Sequence, residues 1–488
     1  MRTGCGGPNG PETFRPATRR ELLTRAGGGF GALALASLLA EEGLPASRPA
    51  AADGPTGDPS AARAPHFPPK ALSILFLFMS GGPSHLELFD PKPDLQRLHG
   101  QKLPSSFGAV ATRRGVEKNV LLSTRRTFRH CGRSGIEMSD LLPHLAGVAD
   151  DLVMLRGCYG NSVTHPESVY LMNTGTTRMG GPSAGAWVTY GLGTENRNLP
   201  AFVVVPDPGG VVKGGPPSWG AGFLPATYQG TVVRGGESPI RYLQPPAGLE
   251  PTRQRGILDL LRTLNTRHLD AREADSALAA RIAAYELAFR MQVHAPEAMD
   301  VRREAATTLT AYGVDRPECG DFAARCVLAR RLIERGVRFV QLYCGDTNGW
   351  DGHSDIEGNH SALCARMDRP VAALLRDLKQ RGLLDSTLVV WAGEFGRTPM
   401  TEGATGRDHN PHGFTVWLAG AGVKGGVTHG NTDAIGLRAQ ENRTHVHDLH
   451  ATILHLMGLD HHRLTMLHNG RAERLTGVAG NVITPILA

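Results

Sequence analysis

Two apolar, β-branched runs, at 387–391 and 414–419, bracket a polar stretch that holds Glu394, Arg397, Asp408, His409, Asn410 and His412. Twelve of the 20 histidines lie between His353 and His468, in company with Asp346, Asp351, Asp355, Glu394 and Asp408. Imidazoles and carboxylates are the donors that fill the coordination sphere of a divalent ion, and they must converge from several loops to do so. Asp351-Gly352-His353, Glu394, Asp408-His409 and His412 can meet in this way around Zn, Ca or Mg. Taken singly, each residue has the alternative of capping a helix, pairing with arginine or bonding loop backbone; as a set they lead us to expect a metal centre. Glu394 directly follows an apolar run, where an unpaired carboxylate is costly to bury, so it requires a metal, an arginine or backbone amides. Arg397 is its non-metal partner, or else grips a sulfate or phosphate oxyanion bidentately. His447, His450 and His455 fall on an apolar helix and read as core or boundary residues. His461 and His462 are expected to be solvated beyond that helix, and Asp448 to complement its dipole.

These side chains need strands behind them. The run ALSILFLF at 71–78 is apolar enough for a central strand buried on both faces, and it ends in Gly81-Gly82-Pro83-Ser84-His85, where the backbone can turn tightly. Further strands are expected at 152–155, 201–205, 337–342, 387–391 and 414–419. Helices are expected from Ser139 to Asp150, after the polar loop that starts at Asn161, over 251–291, 322–335, 361–380 and 447–457, with Gly336 and Gly458 as stops. Strands alternating with helices predict an α/β/α sandwich around a mainly parallel sheet, and open sheets of this kind present sites beyond the carboxyl ends of their strands. The Pro/Gly-rich passage 206–250 reads as inserted loops or a small subdomain.

Composition narrows the function classes. With 488 residues, 41% hydrophobic and 20% charged, the chain can bury a large core, and its 61 glycines and 33 prolines favour a loop-rich α/β protein over a helical bundle. The net charge of +6 comes from scattered arginines with no block able to track a phosphate backbone, so nucleic acid is not expected as a partner. At the amino terminus Arg19-Arg20 precedes a short apolar segment rich in Gly and Ala, at 26–40. That pattern fits a twin-arginine export signal, with 1–65 as signal and spacer and 66–488 as the mature domain. No stable membrane span is expected once the signal is removed, and the location is periplasmic or secreted. Seven cysteines without a CxxC exclude a zinc ribbon and a thioredoxin-like site, and leave room for one or two disulfides outside the cytosol.

GGPSHLELFDPKP (81–93), YELAFRMQ (285–292), GEFGRTP (393–399), GRDHNPHGFTVWLAGAGVKGG (406–426) and VHDLHATILHLMGLDHHRLT (446–465) together resemble the bacterial family called domain of unknown function 1501. The resemblance covers nearly all of the chain after the signal. It implies the alkaline phosphatase/sulfatase-like superfamily, hence an alkaline phosphatase-like α/β/α sandwich and a two-metal hydrolytic site. Related enzymes place a metal-binding aspartate after the first strand, where this chain has Gly81. Matching the nucleophile segment to Thr174-Gly175 puts His165 at the nucleophile's position, with Thr164 beside it. The Asp-His pair expected after the strand ending near 391 is Glu394-Phe395 here, and His409 or His412 fits the later metal histidine. The formylglycine signal of sulfatases is absent.

The expectation is an exported metal-dependent hydrolase of phosphate or sulfate esters, acting on an anionic ester or a sulfated or phosphorylated polysaccharide. Asp351, His353, Glu394, Asp408, His409 and His412 are its candidate metal ligands. Thr164, His165 or a metal-bound water is the nucleophile, and Arg397 stabilises the oxyanion. The alternative is a secreted binding or structural protein that keeps the fold without catalysis, and fold alone does not choose between them.

Overall fold

A computed structural model describes residues 60–488 apart from 211, 235–239, 241–242, 244–247, 271–275 and 347. The twin-arginine segment therefore lies outside the described residues, as does most of the spacer. Among the described residues no helix is long and apolar enough to cross a membrane.

The central sheet is built from β1 (Ser73–Met79), β2 (Leu152–Tyr159), β3 (Phe202–Val205), β4 (Thr231–Val232), β5 (Phe339–Cys344) and β6 (Thr387–Ala392). A hairpin of β7 (Gly396–Glu402) and β8 (Gly406–Asn410) stands outside it, and β9 (Phe414–Gly420), β10 (Val427–His429) and β11 (Thr444–His445) return to it. The strand order is β10-β2-β9-β6-β1-β5-β3-β4, with β11 also pairing β2. All of these pairings are parallel except those of β9, which runs antiparallel to both β2 and β6. The apolar run of β1 makes sense in the middle of this order, because all of its residues are buried.

Alternate β1 residues face opposite cores. Leu75, Leu77 and Met79 pack with α5 (Gly320–Glu334) and α6 (Ile356–Gln380) through Cys326, Val327, Met367, Val371 and Leu374. Ile74, Phe76 and Phe78 pack with α1 (His165–Thr174), α2 (Ala184–Leu192) and α7 (Val446–Leu456) through Val169, Trp187, Leu449 and Ile453. The period of two along a doubly buried strand thus yields the α/β/α sandwich. Two further helices, α3 (Pro251–Asp270) and α4 (Ser276–Met299), replace the single helical stretch expected over 251–291, and Arg255 joins them through Glu286 at 3.1 Å.

Several local expectations are corrected. Ser139 caps no helix: it ends a strand, Ile136–Ser139, paired antiparallel with Phe128–Cys131, and only a 3-10 segment, Leu145–Asp151, follows. α6 starts earlier than residue 361 because the Asp355 carboxylate accepts from the Gly358 amide at 3.0 Å and caps it. The polar stretch between β6 and β9 is the β7–β8 hairpin rather than a plain loop. His461 is buried against Thr476, not solvated. No disulfide forms among the described residues, since Cys131, Cys158, Cys319, Cys326, Cys344 and Cys364 are all free and buried.

His450, read from the sequence as a core residue, lies fully inside between α7 and the end of α1, with Nε2 2.9 Å from the Met172 carbonyl. Burial lowers its pKa to about 3. A histidine that protonates near its ordinary value when unfolded, but only near 3 when folded, stabilises the fold fully above the ordinary value; this contribution is lost as the pH falls from there toward 3. His450→Gln retains a donor for Met172 and does not titrate. Between about pH 7 and pH 4 the wild type should lose on the order of 2 kcal/mol more than this variant in urea denaturation. Parallel stability curves would show that His450 contributes nothing.

Candidate metal centre

β1, β5, β6 and β2 all end at one edge of the sheet, and the chain leaving each of them contributes to one cluster. Gly81 and Gly82 follow β1, Asp351 and His353 follow β5, Glu394 and Phe395 follow β6, and His165 opens α1 after β2. His409 arrives on β8, directly opposite Arg397 of β7, and the ladder slips between Arg407 and His409. Such a bulge re-aims the side chains beside it. The loop after β5 is tied to the same hairpin by the Arg407 amide on the Gly352 carbonyl and the Ile356 amide on the Thr405 carbonyl, each at 3.0 Å.

The imidazoles are oriented from behind. His409 Nδ1 lies 2.7 Å from the Val163 carbonyl, His165 Nδ1 2.7 Å from Glu394 Oε1, and His353 Nδ1 against Glu402 Oε2. A carbonyl or carboxylate oxygen accepts here, so each Nδ1 carries a hydrogen and each ring turns its Nε2 inward. The inward atoms meet at Asp351. His353 Nε2 is 2.8 Å from Asp351 Oδ1, His409 Nε2 is 3.3 Å from the same oxygen, and the two imidazole nitrogens are 3.1 Å apart. His165 Nε2 is 3.0 Å from Asp351 Oδ2 but off the line of a hydrogen bond, so this buried nitrogen has no hydrogen-bond partner. Ligand atoms of His165, Asp351, His353 and His409 all lie within 4.8 Å of one another. A cation placed among these atoms would engage all four donors at once.

Electrostatics agree with this arrangement. Burial opposes ionisation of Asp351, yet close contact with His165, His353 and His409 and the charge of Arg397 hold its carboxyl well below the usual range. Burial takes His409 down to about 4, with Arg397 and His165 adding to the effect against the pull of Asp351, so its ring is neutral at ordinary pH, as a metal ligand must be. The donor set of three imidazoles and one carboxylate suits zinc or another first-row transition ion better than Ca or Mg, which favour oxygen.

The remaining expected residues take other places. Glu394 is not among the converging ligand atoms; its oxygens accept from the Gly81 amide at 3.0 and 3.2 Å and from His165. Arg397 does not pair with Glu394. Its guanidinium donates to the Gly82 and Arg407 carbonyls at 2.9 and 3.2 Å, to the Gly81 carbonyl, and to Asp351 Oδ1 at 2.7 Å. Asp408 accepts from the amides of Arg114 and His409 at 2.7 and 2.8 Å, and with His353 and Glu402 it makes a second gathering of ligand atoms. His412 Nε2 donates to the Ala111 carbonyl at 3.1 Å, away from the cluster. Thr164 precedes α1, and its hydroxyl is 3.2 Å from Ser162 Oγ.

Glu402 and Lys213 escaped the sequence reading, and Phe395 entered it only as the residue standing where a histidine is expected. Glu402 orients His353, Phe395 lies against the His165 and His409 rings with centroids 4.9 and 4.5 Å away, and Lys213 pairs with Asp351 Oδ2. Glu402 ends a strand just before Gly403, whose φ of +59° marks the turn of the hairpin. Lys213 is one of three cations, with Arg234 and Arg241, scattered through the Pro/Gly-rich passage 206–250, and nothing local marks it.

A family model described as "Protein of unknown function (DUF1501)" matches residues 71–487. No curated protein matches the chain. Among solved structures, it is similar to the PsFucS1 sulfatase from Pseudoalteromonas sp., at 12% identity and TM-score 0.35 over 81% of this chain and 68% of that one. It is also similar to the phosphonate monoester hydrolase SpPMH from Silicibacter pomeroyi, at 13% identity and TM-score 0.34 over 85% and 76% of the two chains. The lipoteichoic acid synthase LtaP from Listeria monocytogenes matches at 8% identity and TM-score 0.35, over 82% and 76%.

Proposed function

Given that the chain belongs to the DUF1501 family of proteins of unknown function, we propose from its own site that it is an exported, metal-dependent hydrolase of phosphate or sulfate esters. The convergence of His165, Asp351, His353 and His409 carries this reading. These four residues hold one divalent transition ion, and Glu394, Glu402 and the Val163 carbonyl fix the rings that face it. When bound, such an ion supplies Lewis acidity toward an ester oxygen and acidifies water.

The chain's own residues set the rest. Phe395 lays an apolar ring against His165 and His409, which limits water there and strengthens the electrostatics of the centre. Glu394 and Arg397 are both engaged with the backbone of the turn after β1, so they brace the site instead of meeting substrate. In this reading His165 serves as ligand, its Nδ1 hydrogen held by Glu394, and the attacking group is water. The anionic ester class follows from the resemblance carried by the motifs, and Lys213 at the edge of the cluster suits it.

A second reading has a specific observation in its favour. The turn at Gly81 and the ring of Phe395 fill the places where a second metal's ligands are expected, and the Thr164 hydroxyl is turned to Ser162. A secreted binding protein that keeps one structural ion would look the same. One experiment separates the two: metal analysis of the mature protein, followed by a panel of phosphate and sulfate esters with and without chelator. We expect about one equivalent of a transition ion and ester hydrolysis that chelator abolishes. Metal without hydrolysis favours the binding protein, and absence of both defeats the metal reading.

A further inference from the structure

We propose that Lys213 is the anion-recognising cation of this centre, and that it exchanges Asp351 for an oxyanion once a divalent ion has taken the carboxylate. The inference rests on the metal reading above and assigns a residue that the motifs do not mark.

Two cations flank Asp351, and they differ in freedom. Arg397 is wholly enclosed, and its nitrogens are committed to the carbonyls of Gly81, Gly82 and Arg407 as well as to Asp351. Turning it toward a ligand would strand those buried carbonyls. Lys213 reaches Asp351 Oδ2 with a side chain that is 15% exposed, and Asp351 is its ionic partner among the described residues. Its ammonium sits on a flexible four-carbon stem with three rotatable donors, so it can change partner without moving the backbone.

The backbone under Lys213 is fixed by the helix that carries a metal ligand. The Tyr170 hydroxyl donates to the Gly214 carbonyl at 2.9 Å, and Val212 is buried in the same core as Val169. Val169 and Tyr170 belong to α1, whose first residue is His165. The placement of the cation and of the ligand ring is therefore coupled through one element.

Charge supplies the driving force. The Asp351 carboxylate faces Arg397 and Lys213. With a divalent ion on that carboxylate, the ion, Arg397 and Lys213 share the one carboxylate they all touch, while Glu394 and Glu402 stand behind the histidine rings, and an arriving anion gives Lys213 a new partner. A tetrahedral oxyanion, whether of a phosphate or a sulfate ester, offers oxygens to the ion and to an ammonium together.

The test uses the full mature chain loaded with zinc, titrated calorimetrically with inorganic phosphate and with inorganic sulfate, and zinc affinity measured separately by chelator competition. Lys213→Met should weaken binding of the preferred oxyanion by at least about tenfold, and Lys213→Arg should recover most of it. Zinc affinity of Lys213→Met should be unchanged or tighter, because a competing cation has gone. Oxyanion binding equal to wild type in Lys213→Met, absence of oxyanion binding in zinc-loaded wild type, or a loss of zinc affinity matching the loss of oxyanion would each overturn the proposal while leaving the metal reading intact. Failure of the wild type to bind zinc in the competition assay overturns both.

Discussion

Asp351→Asn is expected to cost the protein its metal. The substitution keeps the size of the side chain and an oxygen acceptor but removes the one carboxylate on which three imidazole nitrogens converge. Loss of an outer partner of a ligand costs about 10–100-fold in metal affinity, so Glu394→Gln, which leaves an acceptor for His165, should fall at or below that range and Asp351→Asn well above it. The metal-free variant should also be less stable, because Arg397, which is fully buried, would face a neutral amide; removing one partner of such a pair costs about 3–5 kcal/mol. Chelator competition measures the first effect and thermal denaturation of the metal-free protein the second. If Asp351→Asn holds zinc within tenfold of wild type, the ion sits elsewhere, with His353, Glu402 and Asp408 as the alternative set.

Gly81→Ala is expected to be as damaging for a different reason. Gly81 has φ +112°, and a Cβ there would stand 2.5 Å from the Trp350 nitrogen and 2.7 Å from the Asp351 nitrogen. Both obstacles are backbone, so no rotamer change relieves them. Strain and overpacking together should cost about 3–5 kcal/mol. The Gly81 amide holds Glu394 and its carbonyl accepts from Arg397, so metal affinity should fall as well. Gly100→Ala is the control, since Gly100 also has a positive φ, +76°, but nothing within 4 Å of an added Cβ; it should cost only about 1 kcal/mol. Equal urea midpoints for the two variants would remove the argument. The same crowding leaves no room for a side chain of any kind at 81.

The α/β/α architecture was legible because its signals are periodic and local. β1 is a continuous apolar run, α5 closes at Gly336 in the left-handed region, and the strand ends carry the polar residues. The hairpin was not, because 396–410 is polar and buried together, with Arg407 and Glu87 paired at 2.7 Å and both fully enclosed. A buried ion pair between residues so far apart in the chain leaves no mark in either segment, so buried polar strands look like loop. At the site, His165 entered only through the family resemblance, at the nucleophile's position, whereas Asp351, His353 and His409 could be gathered from strand-end positions, since short polar segments after strands converge on one edge. Which of them point inward could not, because that is decided by Glu394, Glu402 and the Val163 carbonyl behind the rings. Ligand and outer partner are the same residue types at similar spacing, and only side-chain direction separates Glu394 from Asp351.

The buried thiols have a practical consequence. Burial raises the pKa of Cys319, Cys326 and Cys364, and that of Cys344 to about 12. Alkylating reagents attack the thiolate, so these enclosed sulfurs are poor targets in the native state. With Cys5 and Cys131 replaced, the chain should then behave toward maleimides as though it were cysteine-free, and Leu260→Cys, on the exposed side of α3, would take a single probe. Distances from that probe to a paramagnetic ion at the His165–Asp351–His353–His409 centre could then be read with the other buried cysteines left in place.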